Sequence, residues 1–378
     1  MTSPYPRIFH ALAPSPAGGL ESVVQMHARG WAELGGEVAV ALMLDTGAPL
    51  PPGWEELQGA GVRLLTHRLP PRAYLRERTQ YLGWLREFQP AVVHAHGYRA
   101  DLVAGSAARA LGLPRVSTVH GFTGGDWKNR LYERLQLRAF RQFGAVIAVS
   151  RPIRDRLLRQ GLSAERIAVI PNAWAPAPPS PRGPARARLG LKDTDFAIGW
   201  VGRLSAEKGA DVFLAALAAG AGRDAVPVIV GDGRERAALE RQAADLGLGA
   251  RVRWAGMVPQ AAALFPGFDC YVLSSRTEGT PIALFEAMAG GVPIVATRVG
   301  GVPDVLTESE ALLVPPEDPA ALAVAITAVR QDPAAAAARA ARAGEVLARR
   351  FAPGPWLEQH LALYRAIAAR SSKDLACT

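Results

Sequence analysis

The chain has 378 residues, 49% hydrophobic and 20% charged, which excludes a disordered or fibrous chain and is too long for one ordinary core. The net charge of +9 comes from arginines scattered among alanine, glycine and proline; basic and aromatic residues are not interleaved and no zinc-finger or helix-turn-helix spacing occurs, so nucleic acid is not an expected partner. No apolar run approaches the roughly eighteen residues of a membrane-spanning helix, the start MTSPYPRIFH does not read as a secretory signal, and two cysteines, Cys270 and Cys377, are too few for a disulfide framework, so the cytoplasm is expected.

Short β-rich runs alternate with helical patterns along most of the chain, which predicts an α/β protein with parallel sheets. In the first half the strands are RIFHAL, EVAVALML, VRLLTH, AVVHAH, RVSTVH, AVIAVS and IAVIPN, separated by helices such as ESVVQMHARGWAELG and RADLVAGSAARALG. The proline-rich stretch 173–187 is expected to be an irregular, semi-rigid linker. The second half restarts with FAIGWVG, PVIVGDG, VRWAG, DCYVLSS, PIVATRV and ALLVPP, and its alanine-rich segment near 334–348 has high helix propensity. The last segment keeps Trp356, Leu357, Leu361, Tyr364 and Ile367 at helical spacing and needs a surface to pack on. Two such units place a ligand at the carboxyl ends of the strands, in a cleft the units face.

Three clusters carry chemistry. In VLSSRTEGTPIALFEAMAGGVP, residues 272–293, Glu278 lies in a Gly-rich turn after a strand and suits the hydroxyls of a sugar. Glu286 lies in the following helix and suits a ribose diol, while Thr280, Pro281 and Ile282 form a helix start that favours an anion such as a diphosphate. In WVGRLSAEKGADVFLAAL, residues 200–217, Gly202 precedes Arg203, and Lys208 precedes Gly209. Two cations beside a helix start neutralise a diphosphate and stabilise it as a leaving group. The order is not that of a P-loop, because the glycine follows the lysine. In APSPAGGLESVV, residues 13–24, Gly18 and Gly19 allow the backbone to approach a phosphate.

Other features are weaker. His94 and His96 share one face of a strand, but no third ligand stands at recognisable spacing, so no metal site is expected there. His120, before a glycine at a strand's carboxyl end, is the histidine expected to face substrate. VIVGDGRERAAL has Arg236 where a dinucleotide fingerprint needs its third glycine, and the Asp-Thr-Asp at 193–195 precedes a strand instead of ending one. In KNRLYERLQLRAFRQF, residues 128–143, Arg130, Arg134, Arg138 and Arg141 run beside Leu131, Tyr132 and Leu135. That pattern suits either a packed helix with a solvated basic face or a peripheral helix on an anionic membrane at the inner face.

Taken in this order, the clusters GWVGRLSAEKG, VIVGDG, SSRTEGTPIALFEAMAGGVPIVATRVGGVPDVL and IPNAW make the chain resemble the retaining glycosyltransferases of family 4, with GT-B architecture. The resemblance covers the chain from RIFHALAPSPAGGLESVV to its terminal helix. It implies a Rossmann-like acceptor domain over 1–175, completed by a helix over 352–370, and a Rossmann-like nucleotide-sugar domain over 188–351. It implies that Arg203 and Lys208 hold the donor diphosphate, that Glu286 takes the ribose hydroxyls and that Glu278 takes those of the transferred sugar. The backbone of Gly279 to Ile282 lies nearby, Gly19 approaches the phosphate and His120 sits by the donor sugar. It further implies a hexosyl transfer in glycan or glycolipid biosynthesis, from a nucleotide sugar with UDP as the default, with retention and without a metal or other cofactor. The acceptor stays unassigned: a glycan, a lipid-linked sugar or a small molecule. Two other readings share the architecture, a nucleotide-sugar 2-epimerase and a non-catalytic nucleotide-sugar-binding partner subunit. The epimerase would need further acidic and histidine residues facing the sugar.

Overall fold

The computed structural model describes residues 4–14, 19–121, 127–175, 181–222 and 224–376, the side chains of 127–130 and 371–376 excepted. The chain divides into two compact units, Met1–Ala175 with Ala352–Thr378, and Pro176–Phe351.

The first unit runs β1 (Ile8–Leu12), α1 (Gly19–Glu33), β2 (Val38–Asp45), α2 (Glu56–Gly59), β3 (Arg63–Leu69), α3 (Tyr74–Phe88), β4 (Val92–His96), α4 (Tyr98–Ala110), β5 (Arg115–Val119), α5 (Trp127–Phe140), β6 (Ala145–Ala148), α6 (Arg151–Arg159) and β7 (Ile167–Val169). Its strands form one sheet in the order β3-β2-β1-β4-β5-β6-β7, every pair parallel. The central strands read as continuous apolar runs because helices cover both faces of such a sheet. On one face Phe9, Ala11, Val93 and Ala95 join Tyr81 and Trp84 of α3 and Ala104 of α4 in a single buried core.

The second unit runs α7 (Arg182–Arg188), β8 (Phe196–Val201), α8 (Ala210–Ala218), β9 (Ala225–Val230), α9 (Arg236–Asp245), β10 (Arg253–Gly256), β11 (Cys270–Leu273), α10 (Ile282–Ala289), β12 (Ile294–Thr297), α11 (Val302–Val305), β13 (Leu312–Val314), α12 (Pro319–Gln331) and α13 (Pro333–Arg350). The sheet order is β10-β9-β8-β11-β12-β13, again all parallel. In both sheets the strand order reverses beside the first strand, between β1 and β4 and between β8 and β11. Parallel α/β sheets bind ligands at the carboxyl ends flanking that point.

After α13 the chain re-enters the first unit as α14 (Pro353–Ala376). Trp356, Leu357, Tyr364 and Ile367 are buried there. The approach to α1 is close: a Cβ on Gly30 would lie 2.6 Å from Leu357 Cδ1.

One expectation is corrected. The stretch 173–187 is not wholly irregular, because α7 occupies its end. Pro181 is the N-cap of α7 and Pro184 its third residue, positions whose backbone amides have no intrahelical acceptor, so proline forfeits nothing there. Buried Arg186 then pins the helix, donating to the Gly267 carbonyl at 3.0 Å, the Asp195 carbonyl at 2.7 Å and the Asp269 carboxylate at 3.2 Å.

Candidate active site

The carboxyl ends of β8 and β11 carry the main cluster. After β8 the chain turns through Gly202 and Arg203; Leu204 N–H donates to the Asp232 carbonyl at 3.0 Å, tying this loop to the glycine loop after β9. After β11, Ser274 lies under Trp200 Nε1, which donates to its hydroxyl at 3.0 Å, and the hydroxyl donates to the Gly209 carbonyl at 2.7 Å. Gly209 has φ +65°, and a Cβ on it would stand 2.0 Å from the Ser274 carbonyl oxygen. Only glycine lets the two loops meet this closely.

That approach brings Lys208 to Glu278. The ammonium donates to Oε1 at 2.7 Å and Oε2 at 2.9 Å, and Ser275 Oγ donates to Oε1 at 2.7 Å. The Glu278 side chain is only 5% exposed and that of Lys208 30%. The Glu278 carbonyl sits against Gly300, where a Cβ would be 1.9 Å away at φ +49°. Arg276 locks the arrangement from outside, donating to both oxygens of Asp211 at 2.9 and 2.7 Å and to Glu317 at 2.9 Å. Arg203 is exposed at the same strand end. Burial opposes ionisation of Glu207, but the Ser205 hydroxyl, a backbone amide, Lys208 and Arg203 together hold its carboxyl below the usual range.

Thr280 and Pro281 are buried at the entry to α10, whose first amides lack intrahelical acceptors. Glu286, half-buried little more than a turn into α10, has its carboxyl pushed up to about 7 by burial. Glu278 and Glu286 both act on the buried Tyr271 hydroxyl, which burial raises well above its ordinary value and which has no hydrogen-bond partner among the described residues. The Asp-Thr-Asp at 193–195 is a turn, with Asp195 Oδ2 accepting from Lys192 N–H at 2.8 Å.

In the first unit Gly19 opens α1; Gly18 lies outside the described residues. A cavity of about 480 Å³ borders Leu20, Met43, Asp45, His96, Tyr98 and Arg99. Arg99 is held there by Glu77 at 2.9 Å and Asp45 at 3.4 Å. On α5, Leu131 and Leu135 are 48% and 43% exposed, beside exposed Arg134 and Arg138; the Arg130 side chain lies outside the described residues.

The histidines depart most from expectation. His94 and His96 do have a third imidazole beside them: His10 on β1 pairs with His94 in register, and nitrogens of the three lie within 4.8 Å of one another. Positions on separate strands carry no spacing signal, so this neighbour cannot be read from residue spacing alone. Around them gather His27 of α1, His120 after β5 and His360 of α14, six of the seven histidines in the chain. Burial lowers all six below the usual range, His10 to about 3 and His120 and His360 to about 4; neighbouring imidazoles add to it at every one but His360, where the Trp356 carbonyl opposes it.

Residues 17–175 match the model of Glycosyltransferase Family 4 and residues 195–332 that of Glycosyl transferases group 1. The lipopolysaccharide core biosynthesis glycosyltransferase LpsD of Rhizobium meliloti is 30% identical over 292 residues, 76% of this chain and 78% of its own. The 2-deoxystreptamine glucosyltransferase of Streptomyces kanamyceticus is 31% identical over 280 residues, 68% of this chain and 72% of its own. Among solved structures, Anabaena Alr3699/HepE, crystallised with UDP and glucose, superposes with a TM-score of 0.83 at 21% identity, covering 96% of this chain and all of that one. Its likeness concerns the fold, and the curated relatives supply the family. The chain therefore belongs to the family 4 glycosyltransferases, and its two parallel-sheet α/β domains are those of the GT-B fold.

Proposed function

We propose that the chain transfers a hexose from a nucleoside-diphosphate sugar, with UDP as the default base, to an acceptor hydroxyl, with retention and without a metal ion. The observation that carries this reading is the Lys208–Glu278 pair at the point where the second sheet reverses order. An ammonium has three N–H bonds; two point at Glu278, and the third is left for a phosphate oxygen. Arg203 adds a second cation, so side chains supply the charge that a metal would otherwise bring to the leaving diphosphate. Glu278 keeps lone pairs for a sugar hydroxyl, and Glu286 accepts from the ribose diol. Gly202 and the backbone from Gly279 to Ile282 line the donor. In the first unit Gly19 and His120 are the donor contacts implied by the family resemblance. Retention follows if the departing phosphate oxygen takes the proton of a hydroxyl arriving on the same face. The choice of UDP is supported by the Anabaena protein, whose crystals hold UDP-glucose.

The acceptor is assigned to the cavity beside Asp45, Tyr98 and Arg99, whose mixture of charged, aromatic and apolar walls suits a hydroxylated molecule. The exposed leucines and arginines of α5 favour peripheral contact with an anionic membrane, which suits a lipid-linked acceptor. Incubation with UDP-, GDP- and ADP-sugars in a chelator tests the reading. Release of nucleoside diphosphate, with a product of the donor's anomeric configuration, is expected. Metal-dependent release, an inverted product, or tight donor binding without turnover would each reject part of it.

A further inference from the structure

Seven side chains of the first unit form an unbranched hydrogen-bonded chain. His120 Nε2 lies 3.4 Å from His96 Nδ1, His96 Nε2 lies 2.9 Å from His10 Nδ1, and His10 Nε2 lies 3.1 Å from His27 Nδ1. The line continues from His27 Nε2 to the Tyr364 hydroxyl at 3.2 Å, from that hydroxyl to His94 Nδ1 at 2.7 Å, and from His94 Nε2 to Thr118 Oγ1 at 2.7 Å. Burial keeps these imidazoles neutral near neutral pH. A neutral imidazole has one donor and one acceptor, so each link fixes the next and the whole line must point one way.

The distances choose the direction. Hydroxyl donors make short bonds near 2.7–2.8 Å, whereas N–H donors cluster near 2.9–3.0 Å. At Tyr364 the short side faces His94 and the long side faces His27. The phenol therefore donates to His94 Nδ1 and accepts from His27 Nε2–H. Followed outward, His10 and His96 also carry their proton on Nε2, and so does His120, whose Nδ1 is left bare. Followed the other way, His94 Nε2–H donates to Thr118 Oγ1. The 2.7 Å of that bond lies within the range of either donor, whereas the 3.2 Å between Tyr364 and His27 lies within the N–H range and beyond the O–H one, so the Tyr364 side sets the direction. His360 stands outside the line and has the opposite tautomer, since its Nδ1 faces the Trp356 carbonyl, which can only accept, at 2.9 Å.

We infer that Tyr364, His27, His10 and His96 are positioning residues that hold His120 as the Nε2–H tautomer, so that it meets the donor sugar as a hydrogen-bond acceptor through Nδ1. The inference rests on the reading of His120 as a donor-sugar contact. It gives the last helix a part in the chemistry, although Tyr364 is 244 residues from His120 in sequence.

Nitrogen-correlated NMR of the full chain with ¹⁵N-histidine tests it, with signals assigned by single His→Gln substitutions. The expected spectrum has His10, His27, His94, His96 and His120 as Nε2–H and His360 as Nδ1–H. Tyr364→Phe removes one hydroxyl and keeps the ring that packs on Trp31. It should convert His120 to a mixture of tautomers and lower turnover about three-fold or more, with donor affinity little changed. His10→Phe should mix the tautomers of His120 as well, and His10→Gln, which offers a donor and an acceptor, should restore part of the wild-type signal. An Nδ1–H form of His120 in the wild type, a His120 signal untouched by both Tyr364→Phe and His10→Phe, or stoichiometric zinc held by His10, His94 and His96 overturns the inference. If the tautomers are as expected but His120→Ala leaves turnover unchanged, the line stands and the donor-contact reading fails instead.

Discussion

The ammonium of Lys208 meets both carboxylate oxygens of Glu278, at 2.7 and 2.9 Å, before any ligand arrives. A cation expected on the phosphate and an anion expected on the sugar thus form one device, in which each aims the other. Charge-assisted hydrogen bonds contribute about 1.5–3 kcal/mol each, so Lys208→Ala and Arg203→Ala should each cut turnover about ten-fold or more. Glu278→Gln removes the competing anion. It should lower turnover comparably while nucleoside diphosphate binds at least as tightly as before. Steady-state rates with calorimetric titration check this, and unchanged turnover in both cation variants would remove the pair from the site.

Donor affinity should depend on pH through Glu286. Its carboxyl is held up to about 7 by burial, and only the carboxylate accepts two hydrogen bonds from a diol. Affinity should therefore fall about ten-fold from pH 8 to pH 6 and level off above pH 8. Glu286→Gln should bind more weakly at pH 8 with a flat profile. A profile of the same shape in that variant would assign the titration elsewhere.

Acid should open the first unit. Six buried imidazoles have folded values far below their ordinary 6.5, so below that pH the unfolded chain binds more protons and stability falls with pH until the folded values near 3–4. Asp101, raised to about 7 by burial, and Glu77, raised by burial against Arg99, oppose the trend but are two groups against six. The net effect is a loss of stability in the first unit as pH falls below the ordinary histidine value. Hydrogen exchange at pH 5.5 and pH 7.5 should show protection lost in β1, β4 and α14 but kept in β8 and β11. Equal protection at both pH values would contradict the burial of these rings.

Membrane contact should be salt-dependent and localised. Vesicles containing phosphatidylglycerol should retain the protein at low ionic strength and release it as the screening length shrinks from about 30 Å to about 8 Å. Replacing Leu131 and Leu135 by serine should abolish retention. Equal retention on neutral vesicles, or none at low salt, would leave α5 a solvated surface helix.

Both sheets were legible because parallel strands buried on two faces announce themselves as apolar runs between helices. The donor cluster was legible because Arg203 to Gly209 and Glu278 to Glu286 are each contiguous in the chain. Whether those two segments touch was not. Their meeting depends on Gly209 and Gly300 against two carbonyls, a tertiary fact that a Gly in a sequence only permits. The helix α7 was hidden by its own prolines, which lie where the first turn tolerates them. The histidine line was invisible for a different reason: its members come from two helices and from three strands, and only the sheet register sets His10 beside His94.

The return of α14 to the first unit also orders events during synthesis. Tyr364 closes on His27 and His94, and Leu357 fills the notch at Gly30, yet both leave the ribosome after the whole of the second unit. The second unit can collapse as soon as it emerges, because all of its strands and helices lie in the continuous stretch Pro176–Phe351. The first unit must wait, translated first and completed last, with its imidazole line open to water until the final helix arrives.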